Sequence, residues 1–509
     1  MSEPGLLVID VGTSGVRAAV VCPDTSQESR TGSTDGTRRT SAGRAAVIGE
    51  VHHVAVLPSS PAPGFVEFDP IELRSAVLST AAQALRGSGD VSGVGIANQR
   101  ASTIVWDRAT GDPVGPGIGW QDLRTVGTCL ALQPQGIRLA PNVSATKLAM
   151  LLDMADPGRE RDLCFGTIDT WVAWILSEGR LHVTDPTNAA LTGLLTPDGA
   201  RWDTAILEAL RVPESVLPEL VDSSGIAGAA SALPGSPPIC GIAGDQQASL
   251  VGQGCTLPGL AKATFGTGGM LDCCVGAERP PFSSRGPAGC YPVVAWRRNA
   301  STSWGVEAVM LSAGSCVEWL RDDLGIIESS ADSDSIAASC KDTGDVWFVP
   351  ALVGLGTPIW DFGARAAFIG ITRGTGRAEI VRAVLEGIAH RGADLLEAAE
   401  ADTGLEIPSL RVDGGMSANA TFLQALADST GKPVEVSPVL EATTLGAAYL
   451  AGMALGIWAD PEEIAGIWSP REVVRPAVSP SVRSERRHRW MAARDKARGT
   501  IPELSTLEF

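Results

Sequence analysis

Two short segments of this 509-residue chain share one pattern. Residues 5–22 read GLLVID, then VGTSG, then VRAAVVC; residues 262–275 read KATFGTGGMLDCCV. Each is a β-rich run, a turn of glycine and hydroxyl residues, and a returning β-rich run. Two such hairpins more than two hundred residues apart predict two α/β halves. We place the break near 250–260, giving an N-terminal domain over 1–253 and a second over 254–460. Residues 461–509 are expected to form a helical extension. A ligand site between two such halves is the default expectation.

Between the hairpins lies GIAGDQQASL, residues 241–250. An apolar, glycine-rich strand ends there on one carboxylate, Asp245, and two amides, Gln246 and Gln247. An acid presented at a strand tip between small residues points to a site rather than to a solvated face.

Composition narrows the chemistry. Apolar residues make up 44% of the chain, enough for two cores, and 58 Gly and 33 Pro predict many tight turns. The net charge of −18 argues against nucleic acid, whose phosphates need clustered Lys and Arg. A small anion is still compatible, because backbone amides and a metal can hold one locally. No apolar run reaches membrane-spanning length and no signal peptide is recognisable. The ten Cys form no CxxC pair and the five His form no HExxH. A cytoplasmic protein with reduced thiols and no His-based zinc site is the expectation.

The remaining elements follow from periodicity and punctuation. Residues 69–87 predict a helix opening on Asp-Pro, 91–99 a buried strand, and 102–120 a hairpin. Residues 378–404 predict a long helix, 409–431 a strand, glycine turn and helix, and 443–458 a small-residue helix able to pack closely. The basic segment RSERRHRWMAARDKAR predicts a final helix exposed on its basic side. Residues 23–50, polar and poor in aromatics, predict an extended mobile loop.

In DVGTSGVR (10–17) a turn of small residues can offer amides to phosphate oxygens, with Asp10 holding Mg²⁺ and Thr13 adding a hydroxyl. An ordinary hairpin turn competes with that reading. TFGTGG (264–269) is the second such turn. There is no GxxxxGK[ST] and no Rossmann GxGxxG, so neither is a P-loop. In DGGMSAN (413–419), Gly415 would let a flat base lie on the backbone and Asn419 would bond it; a polar helix start is the alternative.

Taken in order, these segments resemble the FGGY family of carbohydrate kinases, and most of all its glycerol kinase branch. The resemblance rests on DVGTSGVR, GFVEFDP (64–70), NQRASTIVWDRATG (98–111), WQDLRT (120–125), GTIDTWVAWIL (166–176), VTDPTNA (183–189), GIAGDQQASLVGQG (241–254), FGTGG, PALVGLGTPIWDFGARAAFIGITRGT (350–375) and LRVDGGMSANATFLQALADSTG. It spans about residues 6–458. It implies a pair of actin/hexokinase-type, ribonuclease H-like ATPase domains, with ATP and a sugar or polyol meeting in the cleft. It makes Asp245 the catalytic base and Asp10 the metal-associated acid. It places Thr13, Ser14 and Arg17 on the first phosphate turn and Gly266 and Thr267 on the outer phosphates of ATP. Gly314, Glu318, Gly415, Met416 and Asn419 fall on the adenosine side. Glu318 stands where glycerol kinases carry Gln. ATP and Mg²⁺ are the implied cofactors, and a homodimer or homotetramer the implied assembly.

The implied substrate pocket is Arg100, Ala101, Trp120, Asn142, Asp245, Gln246 and Met270. Arg100, Trp120, Asp245 and Gln246 match the glycerol kinase pattern. Ala101 replaces Glu, Asn142 replaces Tyr and Met270 replaces Phe. Losing one acceptor from a buried hydroxyl costs about 1–3 kcal/mol, or roughly five- to 150-fold in binding. The wider pocket suits a tetritol, pentitol or ketopentose as well as glycerol. The Met-His pair typical of xylulose kinases is absent at Gln99-Arg100. A non-kinase ATP switch is the other alternative, against which the intact Asp245 speaks.

Overall fold

The computed structural model describes residues 5–24, 45–88 and 90–507. The segment 25–44, the greater part of the expected loop, lies outside the described residues. Its downstream flank is a strand, Ala46–Ile48, paired with the strand at 15–23.

The apolar run LLVID becomes the centre of the first half. β1 (Leu6–Gly12) is buried over its first six residues. It pairs antiparallel with β2 (Gly15–Pro23) and parallel with β5 (Gly93–Asn98). A strand buried on both faces must read as a continuous apolar run, and this one does. β3 (Ala46–Ile48) and β4 (His52–Ala55) extend β2. β6 (Ser224–Ala229) and β7 (Pro238–Gly244) complete this half on the far side of β5.

The second half repeats the arrangement. β8 (Ala261–Phe265) and β9 (Gly269–Gly276) form its hairpin. β10 (Tyr291–Arg298) and β11 (Ser301–Met310) follow on one side. β12 (Leu410–Asp413), β13 (Val434–Val436) and β14 (Glu472–Val474) follow on the other. A single pairing, Ser224 opposite Arg298, joins β6 to β10 and links the two halves into one fourteen-stranded sheet.

Helices cover these sheets: α1 (Pro70–Ala84), α2 (Ala145–Ala155), α3 (Asp245–Gly252), α4 (Gly314–Asp322), α5 (Asp332–Ala338), α6 (Arg377–Thr403), α7 (Ala420–Thr430), α8 (Ala442–Ala454) and α9 (Pro480–Lys496). Asp69 caps α1, accepting from the Ile71 amide, as its Asp-Pro start predicts. α8 follows β13 of the second half in sequence yet packs on β5 and β7 of the first. A Cβ at Gly95 would lie 2.7 Å from the Ala447 carbonyl oxygen, and one at Gly241 2.6 Å from the Ala451 nitrogen. A Cβ at Gly446 or Gly252 would collide with the backbone of α3 or α8 respectively. The small residues therefore set the distance between α8, α3 and β7, and α3 carries Asp245 on its first turn.

The basic helix α9 meets the expectation of an exposed basic side in part: Arg486, Arg489 and Lys496 are exposed, but Arg487 is not. Trp490, Ala493 and Arg487 of α9 are buried. Its apolar stripe is too short to dock the helix alone, so ion pairs complete the job. Asp394 on α6 takes Arg487 at 2.6 Å and Arg494 at 3.2 Å, beside Arg391 of its own helix at 2.6 Å. Three guanidiniums hold the Asp394 carboxyl down at about 2 although burial opposes it. All ten cysteines are unpaired. Among the described residues no helix is long and apolar enough to cross a membrane.

Candidate active site

Asp245 is the first residue of α3, directly after the buried strand β7. The strand fixes its position, and the helix start places amides and a positive dipole beside it. Its Oδ1 accepts from the Gln246 amide at 2.8 Å and meets Arg100 Nε at 3.4 Å. Both contacts fall on one oxygen, which leaves Oδ2 without a hydrogen-bond partner among the described residues. The side chain is one-third exposed. Burial raises its pKa above the ordinary carboxylate range, and Arg100 and Lys262 offset this only in part.

Arg100 follows β5 and lies against the end of β7. The absent side chain of Gly244 makes room, since a Cβ there would sit 2.7 Å from the Arg100 stem. The guanidinium pairs with Glu307 of β11 at 2.7 Å, donates to Gln247 Oε1 at 3.3 Å and reaches the Met270 sulfur at 3.9 Å. Ala101 is buried in the left-handed region at φ 61°. A non-glycine residue held there is strained, and such strain concentrates at functional sites.

Behind the acid lies a buried charge network that sequence reading missed. Lys262 of β8, fully buried, pairs with Asp272 at 2.8 Å and donates to Gln246 Oε1 at 2.5 Å and to Thr264 Oγ1 at 3.1 Å. An ammonium cannot accept, so the Gln246 amide must turn its oxygen inward and its NH₂ away. Lys262 stays charged because Asp272 and Asp413 override its burial. Asp272 is pushed up to about 7: burial outweighs Lys262, and Glu307 adds a like charge. A lone Asp272 inside the otherwise apolar run MLDCCV of a buried strand is the one signal that marked it. Lys147 was missed too. This buried lysine of α2 donates to the carbonyls of Gly119 at 2.9 Å and of Trp120 and Asn142 at 3.2 Å. It brings two expected pocket residues together although they are 22 positions apart. The Asn142 residue itself is exposed.

The first turn hangs between β1 and β2. Asp10 stands opposite Arg17 in the ladder, with Arg17 Nη1 3.5 Å from its carboxylate. The acid is buried, and its pKa is pushed up to about 7 by that burial; Arg17 opposes, while Asp245 and Glu441 add to the rise. Trp120 Nε1 donates to Thr13 Oγ1 at 3.3 Å, tying this expected pocket residue to the turn. The second turn joins β8 to β9 and is bonded to the start of α4. The Gly314 amide donates to the Gly266 carbonyl at 2.8 Å and the Ala313 amide to the Thr267 carbonyl at 2.9 Å. A Cβ on Gly314 would lie 2.6 Å from that Gly266 oxygen. Glu318 is exposed one turn further along α4.

In the third motif a Cβ on Gly415 would meet nothing within 4 Å, while Met416 is buried beneath the turn. Asn419 is the N-cap of α7: its Oδ1 accepts from the Phe422 amide at 2.8 Å, and its Nδ2 donates to Ser333 of α5 at 3.0 Å. The polar helix start is thus realised in full, and one Nδ2 hydrogen remains for a ligand. Among the described residues no cluster of three metal-ligating side chains occurs, so Asp10 would hold a cation only together with ligand oxygens.

Comparison with known proteins identifies the family. Residues 6–252 match the N-terminal domain, and 261–455 the C-terminal domain, of the FGGY family of carbohydrate kinases. The chain belongs to that family. It is 43% identical over 459 residues to a glycerol kinase of Trichlorobacter lovleyi, covering 86% of this chain and 92% of that one. It is 40% identical to a glycerol kinase of Koribacter versatilis, covering 98% and 99%. The crystal structure of Plasmodium falciparum glycerol kinase with ADP superposes with a TM-score of 0.86 at 27% identity, over 100% of this chain and 99% of that one. The fold is the two-domain, actin/hexokinase-like fold of these enzymes. The protein is an ATP-dependent carbohydrate or polyol kinase.

Proposed function

We propose that this kinase phosphorylates a terminal hydroxyl of glycerol or a polyol of similar size, with Asp245 as general base. The observation that carries the reading is the free Oδ2 of Asp245, on a carboxylate whose other oxygen is fixed by Gln246 and Arg100. A hydroxyl is a poor nucleophile at neutral pH, and a positioned acceptor removes its proton as attack begins. Phosphoryl transfer otherwise asks for positioning and charge neutralisation. Gln246, its oxygen held by Lys262, presents its NH₂ as a donor, and Arg100 flanks the acid. The first and second turns offer amides to the phosphates. Asp10, buried and pushed up to about 7, suits a site completed by a cation. Mg²⁺ bound there with ATP would supply charge neutralisation across the phosphates.

The identity to glycerol kinases favours glycerol. Ala101 and Asn142, one without an acceptor and one exposed, favour a four- or five-carbon polyol as the second reading. The test is ADP release with ATP and Mg²⁺, comparing glycerol, erythritol, threitol, xylitol, ribitol, xylulose and ribulose by kcat/KM. Glycerol in first place supports the proposal, and a longer compound in first place replaces it. Asp245→Asn is expected to lower kcat by at least about 100-fold with the fold intact. A variant within tenfold of wild type removes Asp245 from the mechanism.

A further inference from the structure

A groove of about 480 Å³ opens between α6, α7 and α9. The family match ends at residue 455, so α9 lies outside it, and the groove is built where the shared core meets the C-terminal extension. Its volume lies in the range of small-molecule sites.

The cations of α9 divide in two groups. Arg487, Arg489 and Arg494 are all paired with carboxylates, namely Asp394 and Glu397, Asp345, and Asp394. Arg483 and Arg486, three residues apart on one face, have no ion pair or side-chain hydrogen bond, and both line the groove. Arg382 of α6 lines it from the opposite wall. The two acids of the groove are already engaged. Glu386 pairs with Arg382 at 2.8 Å. Asp428 Oδ1 accepts from the Ala477 and Val478 amides and from Gln424. At the groove wall His390 is 4% exposed, stacked on Trp490 at 5.2 Å, and its Nδ1 is buried without a hydrogen-bond partner. In a chain of net charge −18, two guanidiniums without an ion pair among the described residues, in a groove whose acids are already engaged, call for an anionic occupant. Planar guanidiniums match phosphate oxygens two at a time. The concave shape and the acidic remainder of the molecule exclude a polyanion such as nucleic acid.

We propose that this groove binds a small phosphate monoester at a site separate from the catalytic cleft. The occupant would touch α7 and Ala338 of α5, the two helices joined by the Asn419–Ser333 hydrogen bond. The site itself stands independently of the substrate reading above.

The test is calorimetry on the full-length protein with saturating ADP present to fill the cleft, using ribose 5-phosphate and inorganic phosphate as probes. Saturable binding of ribose 5-phosphate below ~1 mM is expected. It should weaken at least tenfold in R483A/R486A, whose exposed or half-exposed positions leave the thermal melt unchanged, and weaken with added salt. Gln424→Glu, which places a carboxylate in the groove, should cause a similar loss. No saturable heat up to ~10 mM, or equal affinity in wild type and the double variant, overturns the proposal. Inorganic phosphate binding as tightly as the ester would reduce the site to an anion site and overturn the monoester assignment.

Discussion

The two glycine turns look alike on paper and differ in the folded protein. The first places a buried acid and a partly exposed arginine opposite each other in an antiparallel ladder, Asp10 and Arg17. The second carries no charge at its tip. It is pinned by backbone hydrogen bonds to the start of α4, at a separation only Gly314 permits. One turn thus holds an electrostatic device and the other a rigid set of amides. Two similar hairpins need not carry the same chemistry: one turn bears charge, and the other offers fixed backbone geometry.

That contrast can be broken by mutation. The largest effect is expected from Asp10→Asn, with kcat at saturating ATP falling by at least about 100-fold if the acid holds the cation on which charge neutralisation depends. A loss below fivefold would make the first turn as neutral in function as the second. The same variant carries a stability signature. The folded pKa of Asp10, about 7, lies above the usual 3.8, so the folded protein binds this proton more tightly than the unfolded chain. Its cost to stability is absent below about pH 4 and grows as pH rises towards 7. Asp10→Asn should therefore melt above wild type at pH 8 without Mg²⁺, and the gap should close at pH 4. A gap independent of pH would remove the titration of Asp10 as its cause.

Next in size is Gly314→Ala. The added methyl forces the second turn off α4, and KM for ATP should rise by about tenfold, as for a misplaced phosphate contact, with KM for the polyol little changed. A rise in both would mean that the turn shapes the whole cleft. The smallest effect is expected from Trp120→Phe, which removes only the indole bond to Thr13; one neutral hydrogen bond at about 1 kcal/mol corresponds to roughly fivefold in kcat/KM. An unchanged value would show that the bond does not couple the two sides.

Much of this was legible in the linear chain. The glycine hairpins, the continuous apolar run of β1 and the acid closing β7 are local signals, because strand burial and turn geometry depend on neighbours a few residues away. The Asp-Pro start of α1 is another. The buried network was not legible. Lys262, Asp272 and Glu307 lie on three strands, and although each sits in an apolar run, no local pattern tells that the three meet. The docking of α9 through Arg487 was hidden for the same reason, since its partner Asp394 is 93 positions away.

The sequence by itself determined two α/β halves, their paired turns and an acid set apart at a strand tip, all consequences of short-range patterning. Only the tertiary structure decided what that acid touches: which of its oxygens is tied down, that Lys262 orients Gln246, and that α8 crosses back to support α3. Charges and amides act over a few ångströms through space, and the residues that meet there are separated along the chain by distances no local pattern records.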